Sequence, residues 1–311
     1  MLRSSIKSIA PASVANFVCA FDVLGFALAT PYDEVILRTN SVKQVRITKI
    51  TGDQNNLALQ AEKNTAGMAI ISALKHLNSN QGIDIELYKH IPLGSGIGSS
   101  AASAAAAIFA LNALLKLDLP MLQMIDYAMD GENVASGCRH ADNIAPSLMG
   151  GCILVRSLDP LDVVSIPIAA NLYCTIVHPD LEINTKYARS ILPTSIPLAD
   201  AIKQWGNIAA LITGLTTNNC SLIGNAMYDY IAEPIRGKLI KGFAQVRQVA
   251  LDSGAIGAGI SGSGPSVFAL SDSEETANKV GQALGELFLK HECKNQIYVS
   301  QINKNNGAKI L

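Results

Sequence analysis

Alternating apolar and polar residues predict strands in the first half of the chain. The segment EVILRTNSVKQVRITKI (Glu34–Ile50) partly alternates and predicts a strand, a turn and a second strand. The segment GIDIELYKHI (Gly82–Ile91) alternates cleanly and predicts a single strand. Further on, SLMGGCILVRS (Ser147–Ser157) has the pattern of a loop that enters a buried strand. These segments place a sheet in the first half of the protein.

Helical periodicity separates these strands. The segment NTAGMAIISALKHL (Asn64–Leu77) has apolar residues at helical spacing, and Asn64 or Thr65 can serve as its N-cap. An alanine-rich run predicts a buried helix that stops near Lys116, because alanine is the strongest helix former and Pro120 follows. The next segment, LPMLQMIDYAMDGENVAS, predicts another helix.

The second half of the chain has its own mixture of elements. Its pattern predicts strands over Leu172–Pro179, Ser266–Leu270 and Gln296–Asn303, and helices within Ala199–Leu215, Ser221–Ala232, Leu239–Ser253 and Glu274–His291. Because strands and helices mix without strict β-α-β repetition, the sequence favours an α+β fold in two domains. We expect these domains to cover residues 1–168 and 169–311.

Composition narrows the class of partner. Of the 311 residues, 49% are apolar and 16% are charged, and the formal charge is 24 minus 25, or −1. That balance gives no general attraction to nucleic acid or to an anionic membrane. The one candidate membrane segment, Ala101–Leu115, is too short to span a bilayer comfortably and contains Ser103 and Asn112. The cysteines form no C-x-x-C pair and the N-terminus lacks the apolar core of a secretion signal, so we expect a cytoplasmic protein with reduced thiols.

A glycine-rich segment, PLGSGIGSSAAS, precedes the alanine-rich helix. Its glycines, Gly94, Gly96 and Gly98, permit close approach of the backbone to a ligand, and Ser99 or Ser100 can cap the helix. The helix N-terminus then offers N–H groups to an anion. The segment is not a Walker A loop, since no lysine follows the glycines, and it does not fit the G-x-G-x-x-G dinucleotide motif. A tight turn of small residues is the alternative interpretation.

The absence of a lysine leaves the loop short of positive charge. A helix terminus contributes roughly 0.3–1 kcal/mol per anionic group, and up to ~2 when partly buried, which is small against the charge of a nucleotide triphosphate. A divalent cation such as Mg²⁺, held by a carboxylate and a hydroxyl and shared with the phosphates, would supply the difference. Glu132 in DGENVASGCRHADN is the best nearby acid, and a solvated carboxylate at a helix end is the alternative.

Three segments rich in small residues occur in order along the chain: APASVANFVCAFDVLGFAL, PLGSGIGSSAASAAAA and ISGSGPSVFAL. In this order and at this spacing they resemble the GHMP kinases, the family of galactokinase and of homoserine, mevalonate and phosphomevalonate kinases. The connecting segments HADNIAPSLMGG, YARSILP and AEPIRGKLIKGF are similar to the homoserine-phosphorylating branch. The resemblance covers nearly the whole chain. It implies an N-terminal half like ribosomal protein S5 domain 2, a ferredoxin-like C-terminal half, ligands bound between the halves, and a homodimer.

The resemblance also implies ATP and Mg²⁺ as cofactors. The implied reaction is transfer of the ATP γ-phosphoryl group to the hydroxyl of L-homoserine, a step of threonine biosynthesis. Asn64 falls where the family places a residue against the adenine, and Ser100 and Glu132 fall at the metal. The backbone that would wrap the phosphates runs through Pro92, Leu93, Gly94, Ser95, Gly96, Ile97, Gly98, Ser99, Ser100, Ala101 and Ala102.

The same resemblance assigns residues to the amino-acid acceptor. The implied substrate-binding residues are Asn16, Asp22, His140, Asn143, Arg189 and Arg236. Among them the two arginines would hold the substrate carboxylate, which suits a guanidinium fork better than a lysine. The implied catalytic residues are Asp22, Asn143 and Glu132, and none of them is a secure general base. Turn-forming roles for Asn16 and Asp22, and surface positions for the arginines, are the structural alternatives.

Two other functions stay open. Another GHMP kinase would act on shikimate, mevalonate or a sugar, although two arginines favour an acid over a neutral sugar. A non-catalytic relative would bind ligand for regulation or assembly. One departure from the family pattern bears on activity: Ala20 stands where relatives usually carry a glycine before Phe-Asp. At positive φ an alanine would cost about 1 kcal/mol or more and shift the loop that carries Asp22.

Overall fold

Two sheets, each covered by helices, make up the protein. The computed structural model describes residues 5–169, 171–304 and 306–311, with the backbone alone described at Ala135 and Ser136. Within these residues, no helix is both long and apolar enough to cross a bilayer. The α+β class expected from the sequence is confirmed.

The strands, in chain order, are β1 (Ser5–Ala15), β2 (Leu24–Asn40), β3 (Val45–Thr51), β4 (Gly82–Tyr88), β5 (Cys152–Leu158), β6 (Leu161–Ile166), β7 (Tyr173–Pro179), β8 (Gly257–Ile260), β9 (Val267–Ser271), β10 (Asn295–Gln301) and β11 (Lys309–Ile310). The α-helices are α1 (Thr65–His76), α2 (Ser99–Leu115), α3 (Met121–Ser136), α4 (Ile144–Met149), α5 (Thr185–Ser190), α6 (Leu198–Thr217), α7 (Cys220–Ala226), α8 (Glu233–Arg236), α9 (Phe243–Asp252) and α10 (Glu274–Lys290).

The first sheet runs in the order β11-β1-β2-β4-β3, and β5 and β6 extend from β2. The turn after β2 does not close a hairpin, because β4 lies between β2 and β3 and pairs with β3 in parallel. Helix α2 packs on β1 and β2 and is flanked by α1 and α3. It is buried on almost every side, which its alanines permit because small side chains let neighbouring elements approach closely.

The second sheet is antiparallel and runs in the order β10-β7-β9-β8. Helices α9 and α10 cover it and enclose a separate apolar core that includes Val246, Leu284 and Phe288. The chain then returns to the first sheet, where β11 pairs with β1 in antiparallel register. The division into domains at residue 168 remains a prediction. Strand β11 comes after that residue in the chain but pairs within the first sheet.

The predicted elements are present near the expected positions, with a few differences. Ser99 and Ser100 do not cap α2, so that expectation was wrong: Gly98 is the N-cap, in the left-handed conformation, and both serines lie in the first turn. The segment Ser147–Met149, expected as loop, is the end of helix α4. Strand β1 was missed because it is buried on both faces and therefore shows no alternation.

A buried ion pair fixes the entrance to the glycine-rich loop. Lys89, just after β4, bonds through Nζ to the Asp33 carboxylate of β2. Its remaining protons go to the Ser99 carbonyl and to Ser103 Oγ, both at 2.7 Å, in the first turns of α2. The side chains of Lys89 and Asp33 are only 2% and 1% exposed. Sheet and helix are therefore joined through a single ammonium group.

The Asp33 carboxylate holds the loop as well. It accepts the backbone N–H groups of His90 and Ile91 at 2.9 and 3.0 Å, and the Ser103 hydroxyl at 3.0 Å. A buried charge is tolerated when its partner and its hydrogen bonds are all present, and removing one partner is strongly destabilising. The chain entering the loop is thereby anchored on the same carboxylate as the helix leaving it.

Replacing Lys89 by methionine is expected to lower the free energy of unfolding by about 3–5 kcal/mol, because Asp33 would be left charged, buried and without its cation. The matched control is Lys49→Met, which removes an exposed lysine near Tyr88 and is expected to change stability by no more than about 0.5 kcal/mol. Urea unfolding of both variants measures the difference. Equal stabilities for the two variants would contradict the anchoring role of Lys89.

Candidate active site

A cavity of about 1060 Å³ opens beside the N-terminus of α2 and is lined by residues from both halves of the chain. Most of the predicted site residues line it: Asn16, Asp22, Asn64, Pro92, Leu93, Gly94, Ser95, Gly96, Gly98, Ser99, Ser100, Glu132, His140, Asn143, Arg189 and Arg236. Three predicted phosphate-loop residues, Ile97, Ala101 and Ala102, do not line it and are buried in the core. The Ala102 N–H is already used, since it donates to the Gly98 carbonyl at 2.9 Å.

The three segments of small residues meet at this cavity, although they are far apart in sequence. The Ser13 N–H at the end of β1 donates to the Ile97 carbonyl of the glycine-rich loop at 3.2 Å. From the other side, Ser261 after β8 donates its hydroxyl to the Gly96 carbonyl at 2.8 Å. The loop is therefore held between the first and the third segment, and its shape depends on both.

The first segment contains a left-handed turn of three residues. Asn16, Phe17 and Val18 have φ values of 73°, 42° and 65°. Such a conformation costs roughly 1–2 kcal/mol for each residue other than glycine. Packing offsets this cost, because the Phe17 ring lies 4.6 Å from that of Phe26 and 6.4 Å from that of Phe268. The backbone strain of this turn therefore lies at Asn16, Phe17 and Val18, and not at Ala20.

Ala20 is outside the set of residues with positive φ, so the expected penalty for alanine at this position was wrong. Its N–H donates to the Asn16 carbonyl at 2.7 Å, and the turn is closed by hydrogen bonds. Within that turn Asn16 Oδ1 accepts the Asp22 N–H at 3.0 Å, and Asn16 Nδ2 donates to the Gly262 carbonyl at 2.9 Å. The Asn16 amide thus positions Asp22 against the third segment.

Glu132 lies on α3 opposite the first turn of α2. Its Oε1 accepts the Ser100 hydroxyl at 3.0 Å. Burial raises the pKa of Glu132 to about 7, and the Ser100 hydrogen bond and the charge of Lys89 oppose the rise. The alternative of a solvated helix-end carboxylate is wrong, since the residue is buried in the wall of the cavity. The sequence predicts a link between the glycine-rich loop and Glu132, and the fold brings Ser100 and Glu132 together across 32 positions (132 minus 100).

Asp22 and Arg189 form an ion pair on the other side of the cavity. Arg189 Nη2 lies 2.7 Å from both carboxylate oxygens of Asp22 and 3.4 Å from His140 Nδ1. Burial lowers the pKa of His140 below its usual range, and the charge of Asp22 opposes this while that of Arg189 adds to it. The Asp22–Arg189 ion pair therefore lies beside a His140 side chain whose neutral form is favoured.

Arg236, at the end of α8, is only 4% exposed, so a surface role is wrong for it. Its Nε donates to the Ala188 carbonyl and its Nη1 to the Gly262 carbonyl, each at 3.1 Å. Asn143 lies nearer the glycine-rich loop, and its Oδ1 accepts the Ser13 hydroxyl at 2.9 Å. With its oxygen so occupied, the Asn143 amide presents its N–H₂ group as a donor.

Asn64 precedes α1 and caps it, as the sequence predicted. Its Oδ1 accepts the Ala66 N–H at 3.1 Å and its Nδ2 donates to the Ala58 carbonyl at 3.3 Å. Both ends of the amide thus serve the local structure. The contact of Asn64 with an adenine stays a prediction.

The comparisons with known proteins bear on this arrangement. The GHMP kinases N terminal domain matches residues 56–151, and the GHMP kinases C terminal domain matches residues 199–290. The chain belongs to the GHMP kinase family. A homoserine kinase of Chlorobium phaeobacteroides is 48% identical over 99% of each chain. The crystal structure of homoserine kinase from Cytophaga hutchinsonii is 52% identical, covers 100% of this chain and 98% of its own, and superposes with a TM-score of 0.95.

The fold extends to distant members of the family. The L. major mevalonate kinase, crystallised with R-mevalonate, is 18% identical and has a TM-score of 0.72 over 97% of this chain. At that identity the match concerns the fold alone. Within the GHMP kinase frame, the N-terminal match includes the glycine-rich loop and Glu132, and the C-terminal match includes Arg236 and the third segment.

Two further acids, Asp142 in the cavity wall and Asp33 behind it, were not predicted as site residues. Asp142, between His140 and Asn143, is buried in the cavity wall. Burial raises its pKa to about 7, and the charges of Asp22 and Glu132 add to the rise. Asp33 was missed too, together with its partner Lys89. The alternation of β4 indicates that Lys89 is buried, because Lys89 is in phase with the buried positions of the strand.

Gly96 is tightly restricted by the backbone of the third segment. A Cβ there would lie 2.7 Å from the backbone carbonyl oxygens of both Gly264 and Ser261, whereas one at Gly94 would meet the flexible side chain of Glu182 at 3.0 Å. Both glycines have positive φ, so the two alanine substitutions carry similar backbone strain. We expect Gly96→Ala to lower kcat/KM for ATP at least about tenfold more than Gly94→Ala. Equal losses in steady-state kinetics would contradict the close packing of the third segment on the loop.

Proposed function

We propose that this GHMP kinase is a homoserine kinase, which transfers the γ-phosphoryl group of ATP to the side-chain hydroxyl of L-homoserine and yields O-phospho-L-homoserine, a step of threonine biosynthesis. One observation carries the proposal: an Asp22 carboxylate and the guanidinium groups of Arg189 and Arg236 line the same cavity as the glycine-rich loop. This set of charges is complementary to an amino acid, whose ammonium and carboxylate groups would bind there with the hydroxyl directed towards the loop. The identity to homoserine kinases of two other organisms supports the same substrate.

The nucleotide phosphates are proposed to bind at the loop and the first turn of α2. Backbone N–H groups at a helix N-terminus favour an anion there. Lys89 adds little net charge, because Asp33 neutralises it. The phosphates therefore need another cation.

Ser100 and Glu132 suit Mg²⁺ as that cation. A hydroxyl and a buried carboxylate, 3.0 Å apart at the edge of the phosphate site, are oxygen ligands of the kind Mg²⁺ takes together with substrate phosphates. When bound, the metal would neutralise charge on the phosphates during transfer. Glu132 and Ser100 would hold this ion, and their hydrogen bond fixes the orientation of the Glu132 carboxylate.

The acceptor is proposed to bind by exchanging partners with the Asp22–Arg189 pair. The ammonium of the substrate would replace Arg189 at the Asp22 carboxylate, and its carboxylate would take the freed guanidinium together with Arg236. Asn143 would donate its N–H₂ group to the reacting hydroxyl. Positioning and electrostatic stabilisation dominate phosphoryl transfer, so the reaction does not require a strong general base.

The other GHMP kinase substrates fit this charge arrangement less well. A neutral sugar would leave both arginines without a carboxylate. Shikimate and mevalonate carry a carboxylate but no ammonium, so Asp22 would lose Arg189 and gain nothing in return, and an uncompensated charge in a partly buried site is costly. A non-catalytic binding protein is disfavoured, because the loop, Ser100 and Glu132 are all assembled.

The homodimer implied by the family resemblance and the cytoplasmic location expected from the cysteines and the N-terminus remain predictions. Burial raises the pKa of Cys19 and of Cys152 to about 12, which keeps these sulfurs protonated and unreactive. Light scattering of the purified chain would measure the mass in solution, and a monomeric mass would exclude the dimer.

A coupled ADP-release assay with a panel of alcohols tests the proposed substrate. We expect kcat/KM for L-homoserine to exceed that for shikimate, mevalonate and galactose by at least about a hundredfold, since all three lack the ammonium that would pair with Asp22 and galactose also lacks the carboxylate. ATP hydrolysis without any acceptor is the control. Turnover of another alcohol in preference to homoserine would show that the substrate assignment is wrong. Absence of nucleotide binding would show that the protein is not a kinase.

A further inference from the structure

A single aromatic ring contacts both arginines of the acceptor site. The Arg189 Cζ lies 5.2 Å from the centroid of the Phe21 ring, and the Arg236 Cζ lies 5.0 Å from it. The two guanidinium groups come from different elements, α5 and α8, and Phe21 immediately precedes Asp22 in the first segment. The ring therefore connects three parts of the chain at the point where the acceptor carboxylate would bind.

The two arginines need such a common contact because they repel each other. Burial lowers the pKa of Arg236, and the positive charge of Arg189 contributes in the same direction. Each guanidinium has only part of its surface held by hydrogen bonds, Arg189 by Asp22 and Arg236 by backbone carbonyls. The face of an aromatic ring attracts a cation and aligns a planar guanidinium, so it can hold both groups without using the N–H donors that a carboxylate needs.

Phe21 is also placed to act on ligand binding. Its ring is half-buried and lines the main cavity. It also lines a small cavity behind the arginines, next to Asp229 and Glu233. The ring and Arg236 thus lie at the boundary between the acceptor site and the small cavity that contains these two acids.

We propose that Phe21 is a specificity-determining positioning residue, whose ring holds the guanidinium groups of Arg189 and Arg236 in the orientation that receives the carboxylate of the acceptor. The chemical class it selects is an alcohol that bears a carboxylate. The inference rests on the proposed function in one respect, since it requires these arginines to bind the acceptor. Phe21 itself makes no contact with the transferred phosphoryl group.

Substitution of Phe21 by leucine distinguishes a positioning role of the aromatic ring from simple apolar packing. Phe21→Leu keeps an apolar side chain but removes the ring face, whereas Phe21→Tyr keeps the face. The matched control is Tyr228→Leu, which removes a ring 5.2 Å from the Arg247 Cζ, outside the main cavity. Any general effect of losing a ring beside an arginine would appear in that control.

Steady-state kinetics of the full chain provide the main test. We expect Phe21→Leu to raise KM for L-homoserine roughly 5- to 30-fold, as the loss of two cation–π contacts implies, with kcat and KM for ATP within about twofold of wild type. Phe21→Tyr and Tyr228→Leu are expected to behave like wild type. If KM for homoserine stays within about twofold in Phe21→Leu, the proposal is wrong.

Two competitive inhibitors distinguish positioning from a structural role. L-α-Aminobutyrate keeps the ammonium and carboxylate of homoserine without the hydroxyl, and aminopropanol keeps the ammonium and hydroxyl without the carboxylate. In Phe21→Leu the inhibition constant should rise for aminobutyrate and stay unchanged for aminopropanol. A parallel rise for both, or a rise in KM for ATP with it, would assign Phe21 a structural role only.

A failure of the proposed function can be distinguished from a failure of the proposed role of Phe21. If wild type does not turn over homoserine, the alcohol panel reveals it before any variant is made. The role of the Phe21 ring is then tested by comparing kcat/KM for the preferred alcohol of the panel with kcat/KM for the same alcohol without its carboxylate. An unchanged preference between the two in Phe21→Leu would overturn the role of the ring, whatever the natural acceptor is.

Discussion

The ion pair between Lys89 and Asp33 is the constraint on which the rest of the site depends. It joins the middle of β2 and the end of β4 to the first turns of α2, and the same carboxylate anchors the N–H groups at the entrance to the loop. The loop is consequently fixed at both ends before any ligand arrives. A phosphate site made of backbone N–H groups requires this preorganisation, because such groups act only when their directions are fixed.

The same pair explains why a lysine close to the phosphate site does not supply the charge that the loop lacks. Lys89 lines the cavity, yet its ammonium is neutralised by Asp33 and directed into the core. A comparable pairing occurs on the acceptor side, where Arg189 is matched by Asp22. In both pairs the cation is therefore compensated by a carboxylate of the protein itself. Under the proposed function, substrates that carry matching charges would enter by exchange, and the excess charge of the nucleotide would be met by a separate cation.

Much of this could be predicted from the sequence, for physical reasons that differ between features. Helix α2 and its glycine-rich N-terminus follow from local composition, and the link between the loop and Glu132 follows from a charge deficit. The N-cap of α2 could not be assigned locally, because Ser99 directs its hydroxyl to the distant Ile91 carbonyl instead. Strain at Val18 rather than Ala20 depends on packing against strands far away in sequence. The contact of Phe21 with two arginines is likewise a product of tertiary structure.

We propose that a metal ion held by Glu132 supplies the positive charge that the loop lacks. Calorimetry of a non-hydrolysable ATP analogue, with and without Mg²⁺, measures this directly in wild type and in Glu132→Gln, which keeps the side-chain shape and removes the charge. The account predicts that Mg²⁺ tightens nucleotide binding at least about tenfold in wild type and less than about twofold in the variant. An equal gain from Mg²⁺ in both proteins would contradict it.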